Sequence, residues 1–120
     1  MRALAALLLI AGAHASDVER GRALVADRTT SLCLLCHSLT AAGDANQGNL
    51  APPLDAAARL KPAELRERIA DMRRFNPATV MPPFRATDGL RDVAPAWQGR
   101  AALTERQLED IVVYLGTLAK

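Results

Sequence analysis

The chain has 120 residues, which suits one small domain, and its 15 basic against 13 acidic groups give a formal net charge of +2. This nearly neutral balance lacks the basic excess that is typical of nucleic-acid-binding domains. Outside the amino-terminal residues no long apolar run occurs, so we expect the mature chain to have no membrane contact.

The first 15 residues have the three parts of a secretory signal peptide. A positive start at Arg2 precedes the apolar stretch 3–12, and the small-x-small sequence around His14 matches a cleavage site. About ten apolar residues are too few to span a bilayer as a helix, although an uncleaved anchor is the alternative. We therefore predict export to the periplasm and cleavage after Ala15, which leaves residues 16–120 as one domain with 14 basic and 13 acidic groups.

The first helix is predicted over residues 17–28. Ser16 is placed to cap its amino terminus, and Glu19 three residues later completes a capping-box pattern. Val25 faces inward on this helix, and Gly21 lies four residues before it on the same side. Glycine weakens a helix, so its presence there indicates close approach of the terminal helix; the alternative is a tolerated glycine near a frayed end.

The most informative segment is Cys33-Leu34-Leu35-Cys36-His37, which we place in a short helix over 32–39. C-x-x-C-H is the attachment pattern of c-type haem. Cys33 and Cys36 are spaced to add across the two vinyl groups of one porphyrin, and His37 follows as the proximal iron ligand. We therefore predict one covalently bound haem c and a redox function, because the cofactor carries the electron while the protein sets ligands and polarity.

Other uses of the two cysteines explain the segment less well. A thioredoxin-like C-x-x-C belongs beside a βαβ pattern, and no strand-rich runs occur here. A structural zinc site takes four ligands, whereas the chain offers Cys33, Cys36, His37 and, inside the predicted signal peptide, His14. A disulfide suits an exported protein but leaves His37 without a role.

The rest of the chain is predicted to form helices joined by loops rich in proline and glycine. After a loop over 42–53, helices are predicted over 54–60 and 62–75, with Pro62 at the first position of the second one. The last helix is expected to follow Thr104 as N-cap, with Gln107 completing a capping box. The apolar positions of the last two helices repeat with helical spacing: Leu65, Ile69 and Met72 in one, and Leu108, Ile111, Val112, Leu115 and Leu118 in the other. We therefore predict an all-α domain wrapped around one haem.

Two methionines compete for the second axial position, because His37 is the only histidine left after cleavage. Met72 is in step with the buried stripe of its helix, so we assign it to the core. Met81 is followed by Pro82 and Pro83, whose restricted backbone could present the thioether to iron at little entropic cost. We predict Met81 as the ligand, which would favour the ferrous state and raise the potential. The alternative is a methionine that merely fills a gap in packing.

The orientation of the imidazole needs a hydrogen-bond acceptor, because a ligating histidine usually donates its second ring N–H to a carbonyl or carboxylate. The rigid loop Ala51-Pro52-Pro53-Leu54 lies downstream of the motif. We predict that the Pro52 carbonyl accepts the Nδ1–H of His37.

Taken in order, these features resemble the class I cytochrome c family and, more narrowly, the X subunits of the Sox sulfur-oxidation system. The resemblance covers nearly all of residues 16–120, and its most specific stretch is NPATVMPPF at 76–84. The other matching stretches are 21–24, 33–37, 48–54 and 108–118. The chain departs from the family at two places: Ala51 stands where glycine is common, and the segment over 88–99 is longer than expected. Because of this longer segment, the resemblance does not define the docking surface or the exposure of the haem edge.

The resemblance implies Cys33 and Cys36 as thioether sites and His37 and Met81 as axial ligands. It also implies a heterodimer with a haem-bearing A subunit, in a periplasmic complex that acts as an L-cysteine S-thiosulfotransferase by coupling thiosulfate oxidatively to a carrier-protein cysteine. This chain would pass electrons to a small acceptor cytochrome c and would not be catalytic alone. A free-standing cytochrome c that shuttles electrons to an oxidase shares this site chemistry, whereas a haem sensor would need an open sixth position.

Overall fold

The computed structural model describes residues 16–43 and 46–118, so the predicted signal peptide over 1–15 lies outside the described residues. The described residues contain no strand, and the all-α prediction is confirmed. They form the helices α1 (Asp17–Ala26), α2 (Cys33–Cys36), α3 (Leu54–Ala57), α4 (Pro62–Ala70) and α5 (Glu105–Gly116), with 3-10 turns at Thr40–Ala42, Met72–Arg74 and Pro95–Trp97. None of these helices is long and apolar enough to cross a bilayer.

The two terminal helices begin at the caps that the sequence predicts. Thr104 and Gln107 form a complete capping box on α5: Gln107 N–H donates to Thr104 Oγ1 over 3.1 Å, and Thr104 N–H donates to Gln107 Oε1 over 2.8 Å. On α1 only half of the box forms, because Ser16 Oγ accepts from Glu19 N–H while the Glu19 carboxylate pairs with Arg22 over 2.6 Å. Local capping therefore fixes where both helices start.

Helices α1 and α5 cross closely at Gly21. A Cβ atom at this position would lie 1.9 Å from the backbone oxygen of Asp110 and 2.6 Å from Cβ of Tyr114. Next to the crossing, Arg20 binds the Asp110 carboxylate twice, through Nε over 2.8 Å and through Nη2 over 3.1 Å. Asp110 is only 4% exposed, so its carboxylate has lost most of its hydration, and the two hydrogen bonds from Arg20 compensate for that loss. The predicted close approach of the terminal helix is confirmed.

A single hydrophobic core lies between α5, α1 and α4. Tyr114 is buried in it, and burial raises the pKa of its hydroxyl. Cys33, at the start of α2, and Met81, in a loop, both pack against this core and are partly buried. The core residues are Val25, Leu34, Leu39, Leu54, Leu65, Ile69, Phe84, Leu103, Leu108, Ile111, Val112, Tyr114 and Leu115.

Several helices are shorter than predicted, and one consequence concerns Met72. Helix α4 ends at Ala70 because Asp71 adopts an extended conformation, with φ −160° and ψ 93°. The helical spacing that places Leu65 and Ile69 in the core is therefore lost before Met72, which begins a 3-10 turn and is only half-buried. Assigning Met72 to the core was wrong: its sulfur lies 3.9 Å from Nη1 of Arg68.

Candidate haem-attachment site

The C-x-x-C-H motif forms one short turn of helix, α2, between two breaks. Leu32 before it has left-handed backbone angles, with φ 58° and ψ 13°, and His37 after it is extended. His37 N–H donates to Cys33 O over 2.9 Å and closes the turn. Cys33 and Cys36 are both half-buried and free, with no disulfide between them, and burial raises the pKa of the Cys33 thiol. The turn thus carries two unpaired sulfur atoms and an imidazole.

Asp27 anchors the connection from α1 to this turn. Its Oδ1 accepts from both the backbone N–H and the hydroxyl of Thr29 over 2.7 Å, and its Oδ2 accepts from the Thr30 hydroxyl over 2.9 Å. These donors favour the charged carboxylate and lower the pKa of Asp27 to about 2. The Asp27 carbonyl also accepts from Leu32 N–H over 3.2 Å, which helps to hold the left-handed residue in place. Sequence reasoning missed this role, although an aspartate just after a helix and before Thr-Thr is a recognisable turn signal.

The loop over 46–54 is hydrogen-bonded along the whole motif. Gly48 must be glycine here, since a Cβ atom would lie 2.1 Å from Leu35 O. Two backbone N–H groups of the loop donate to carbonyls of the motif: Gly48 to Leu34 over 2.8 Å and Ala51 to Cys36 over 3.0 Å. A third, that of Leu54, donates to Ser38 just after the motif over 2.8 Å. The loop is therefore part of the site rather than a flexible connection.

The ring of His37 is oriented by this loop. Its Nδ1 lies 2.6 Å from the carbonyl oxygen of Pro52, which is the contact that the sequence predicts. Because a carbonyl can only accept, Nδ1 must carry the proton and donate it. The other ring nitrogen, Nε2, is then left with the lone pair that a metal requires.

Gln47 makes a contact that the sequence alone does not indicate. Leu39 N–H donates to its Oε1 over 2.7 Å, and its Nε2 donates to Leu39 O over 3.0 Å. The carboxamide thereby ties the start of the loop to the chain just after His37. No motif marks a pair eight residues apart in two irregular segments, so sequence reasoning had no signal for it.

Met81 sits in a separate, well-anchored loop. Asn76 Oδ1 accepts from Ala78 N–H over 3.0 Å, and Thr79 Oγ1 accepts from Met81 N–H over 3.1 Å. After the two prolines, Phe84 is buried in the core and its carbonyl accepts from Leu103 N–H over 3.0 Å. Met81 is thus held on both sides along the chain, with its side chain half-buried against the core.

A cavity of about 660 Å³ opens beside Met81. Its walls include Pro82 and Pro83, Trp97 from the long segment over 88–99, and Arg100 just after that segment. None of the motif residues lines it among the described residues. The structure therefore brings Cys33, Cys36, His37 and Pro52 into one group, and Met81 packs against the same core from its own loop.

The residues fit a covalently attached haem better than a metal held by side chains alone. Among residues 16–43 and 46–118, no three histidine, cysteine, aspartate or glutamate side chains converge on one point. A four-ligand zinc site has no counterpart there. Two free sulfur atoms at the attachment spacing, beside an imidazole whose Nδ1 is already engaged, match the requirements of haem c.

Comparisons with known proteins agree with this geometry. No protein-family model matches the chain, and no curated protein matches it. A chain in the crystal structure of SoxXA from P. pantotrophus does match, with a TM-score of 0.75 and 32% sequence identity over 85% of this chain and 81% of that chain. The helical architecture and this likeness define a class I cytochrome c-like protein. More narrowly, the chain belongs to the SoxX family of c-type cytochromes.

Proposed function

We propose that this chain is the electron-accepting monohaem subunit of a periplasmic complex that couples thiosulfate oxidatively to a cysteine of a carrier protein. The observation that carries the proposal is the 2.6 Å contact between His37 Nδ1 and Pro52 O, beside two free cysteines in a SoxX-family chain. This arrangement is that of a histidine prepared to bind iron through Nε2.

The haem would be held by four side chains. Cys33 and Cys36 would form the thioether bonds, and His37 Nε2 and Met81 Sδ would be the axial ligands. When bound, haem supplies one-electron redox chemistry. The Pro52 carbonyl fixes the ring of His37 and raises its basicity, while a thioether opposite it favours the ferrous state.

The chain would act outside the cytoplasm. Residues 1–15 would be removed as a signal peptide, and residues 16–120 would form the mature haem domain. Export agrees with the site, because c-type haem is attached after the chain has left the cytoplasm. The sulfur atoms of Cys33 and Cys36 are unpaired, as attachment requires.

The proposed partners are a haem-bearing SoxA-type subunit and a small acceptor cytochrome c. The similar chain comes from a SoxXA structure, which supports the first partner. With both axial positions filled, substrate would have no access to the iron, and with both cysteines consumed the chain would have no thiol for sulfur transfer. It would therefore conduct electrons and leave the sulfur chemistry to the partner subunit.

The experiment that tests the proposal is reconstitution of thiosulfate-dependent reduction of a small acceptor cytochrome. The haem-loaded chain, the SoxA-type subunit and the carrier protein are each omitted in turn, and we expect reduction only in the complete mixture. A Cys33→Ala, Cys36→Ala double variant, which cannot attach haem, serves as the control. Turnover by this chain alone would contradict the subunit function. Failure to bind the SoxA-type subunit, together with fast electron exchange with an oxidase, would favour a free-standing cytochrome c.

A further inference from the structure

We propose that Gln47 is a positioning residue for the iron ligand His37, an inference that rests on the proposed haem ligation. Its carboxamide forms two hydrogen bonds to a single residue, Leu39. Leu39 N–H donates to Gln47 Oε1 over 2.7 Å, and Gln47 Nε2 donates to Leu39 O over 3.0 Å. Both polar groups of one backbone residue are thus satisfied by one side chain.

The backbone of Leu39 has a particular need for such a partner. Leu39 is only 1% exposed, and it is extended, with φ −150° and ψ 116°, just before the 3-10 turn Thr40–Ala42. Its C=O already accepts from Ala42 N–H over 3.1 Å at the start of that turn, but its N–H points outside any helix or sheet and is bonded to Gln47. A buried backbone N–H without a partner is costly. A carboxamide offers one donor and one acceptor side by side, so Gln47 substitutes for the partner residue of an antiparallel strand pair.

The pair of hydrogen bonds between Gln47 and Leu39 joins the two chain segments that carry His37 and Pro52. Leu39 follows His37 by two residues, and Gln47 begins the loop that later presents the Pro52 carbonyl. Further along the same loop, Ala51 N–H and Leu54 N–H donate to Cys36 O and Ser38 O, the carbonyls on either side of His37. With Leu39 fixed, the two segments cannot slide past one another, and the 2.6 Å contact between His37 Nδ1 and Pro52 O is maintained. The strength of that contact sets the basicity of the imidazole and hence the reduction potential.

The test uses the haem-loaded chain with two variants of Gln47 and two matched controls. Gln47→Ala removes both hydrogen bonds, whereas Gln47→Glu keeps the acceptor for Leu39 N–H and loses the donor to Leu39 O. Asn49 is exposed in the same loop, so Asn49→Ala and Asn49→Asp introduce the same truncation and the same charge two residues away. The measurements are hydrogen exchange of the Leu39 amide, the NMR signal of the His37 Nδ1–H in the ferrous state, and the reduction potential.

We expect exchange of the Leu39 amide to be at least about tenfold faster in Gln47→Ala, as loss of a protected hydrogen bond implies. The His37 Nδ1–H signal and the potential should shift in both Gln47 variants relative to their Asn49 counterparts. Faster exchange at Leu39 with an unchanged His37 signal and potential would overturn the proposal and leave Gln47 a purely structural residue. If His37 lacked the signal of a haem-bound imidazole in the unmodified chain, the ligation itself would be refuted, and the positioning role with it. Failure of thiosulfate turnover alone would contradict only the proposed function.

Discussion

A Cβ atom at position 21 would lie 1.9 Å from the carbonyl oxygen of Asp110, so the backbones of α1 and α5 meet at Gly21 without room for any side chain. The clash is with backbone, which cannot rotate away as the end of a side chain could. Beside it, the paired side chains of Arg20 and Asp110 fix how the two helices cross. This crossing closes the core against which Cys33 and Met81 both pack.

The first prediction is that Gly21→Ala destabilises the protein by forcing the helices apart. Overpacking of this kind costs about 1–3 kcal/mol in the free energy of unfolding, measured by urea denaturation. Gly116→Ala is the matched control, because the added Cβ at this exposed helical position meets nothing within 4 Å. It should instead stabilise α5 by up to about 1 kcal/mol through better helix propensity. A gain in stability from Gly21→Ala would show that the crossing can adjust.

Features that depend on contacts between residues close in the sequence were predicted better than features that depend on distant contacts. The capping box of Thr104 and Gln107 involves residues three apart in the sequence, so it could be predicted. The close approach at Gly21 involves a single partner helix, and it could be predicted from a glycine on the inward face of α1. The Pro52 carbonyl could be predicted because a ligating imidazole needs an acceptor and the rigid loop follows the motif. Met72 was misplaced because the helix was continued past Ala70, where the backbone turns out of helical geometry.

The rest of the site depends on contacts across the chain that no local pattern marks. Gln47 meets Leu39 only because the loop over 46–54 folds back along the motif. Gly48 is required by the backbone of Leu35, 13 residues earlier in the numbering. Propensity and spacing describe an element and its immediate neighbours, whereas these contacts appear only once two irregular segments have been brought together.

The second prediction concerns pH and Asp27. Its pKa is lowered from 3.8 to about 2 in the folded chain, so the unfolded chain binds its proton first as the pH falls. The stabilising contribution of this carboxylate is therefore complete above about pH 4 and is lost between about pH 4 and pH 2. Asp27→Asn should have a weaker dependence of the urea midpoint on pH in this window, because asparagine has no carboxylate to protonate. A pH dependence in this window as steep in Asp27→Asn as in the unmodified chain would contradict the assignment to Asp27.

The third prediction is that Gly48→Ala disturbs haem attachment. A Cβ atom there would lie 2.1 Å from Leu35 O and 2.7 Å from Cα of Cys36, so the loop would have to move away from the motif. We expect a loss of stability on the order of 1–3 kcal/mol and a smaller haem-stained fraction of the exported protein. Asn49→Ala alters the next residue of the same loop without such a clash and should keep the normal fraction. Equal haem loading in both variants would mean that the motif does not depend on close contact with the loop.

The fourth prediction distinguishes the two methionines. Met81 lies in a loop anchored by Thr79 and the following prolines, and its side chain borders a cavity of about 660 Å³. Met72 lies in a 3-10 turn with its sulfur beside the Arg68 guanidinium. We therefore expect Met81→Ala to abolish the sulfur-to-iron charge-transfer band of the oxidised protein, to lower the reduction potential and to admit carbon monoxide to the reduced protein.

Met72→Leu is the matched control for this prediction, because leucine has a similar volume and no sulfur. It should keep the charge-transfer band and the potential, and it should change the free energy of unfolding by less than about 1.5 kcal/mol. Absorption spectra of the oxidised proteins and redox titration of each variant provide the comparison. Loss of the band in Met72→Leu, with the band intact in Met81→Ala, would reverse the assignment of the axial ligand. Loss in neither variant would mean that no methionine of residues 16–120 binds the iron, because Met72 and Met81 are the only two there.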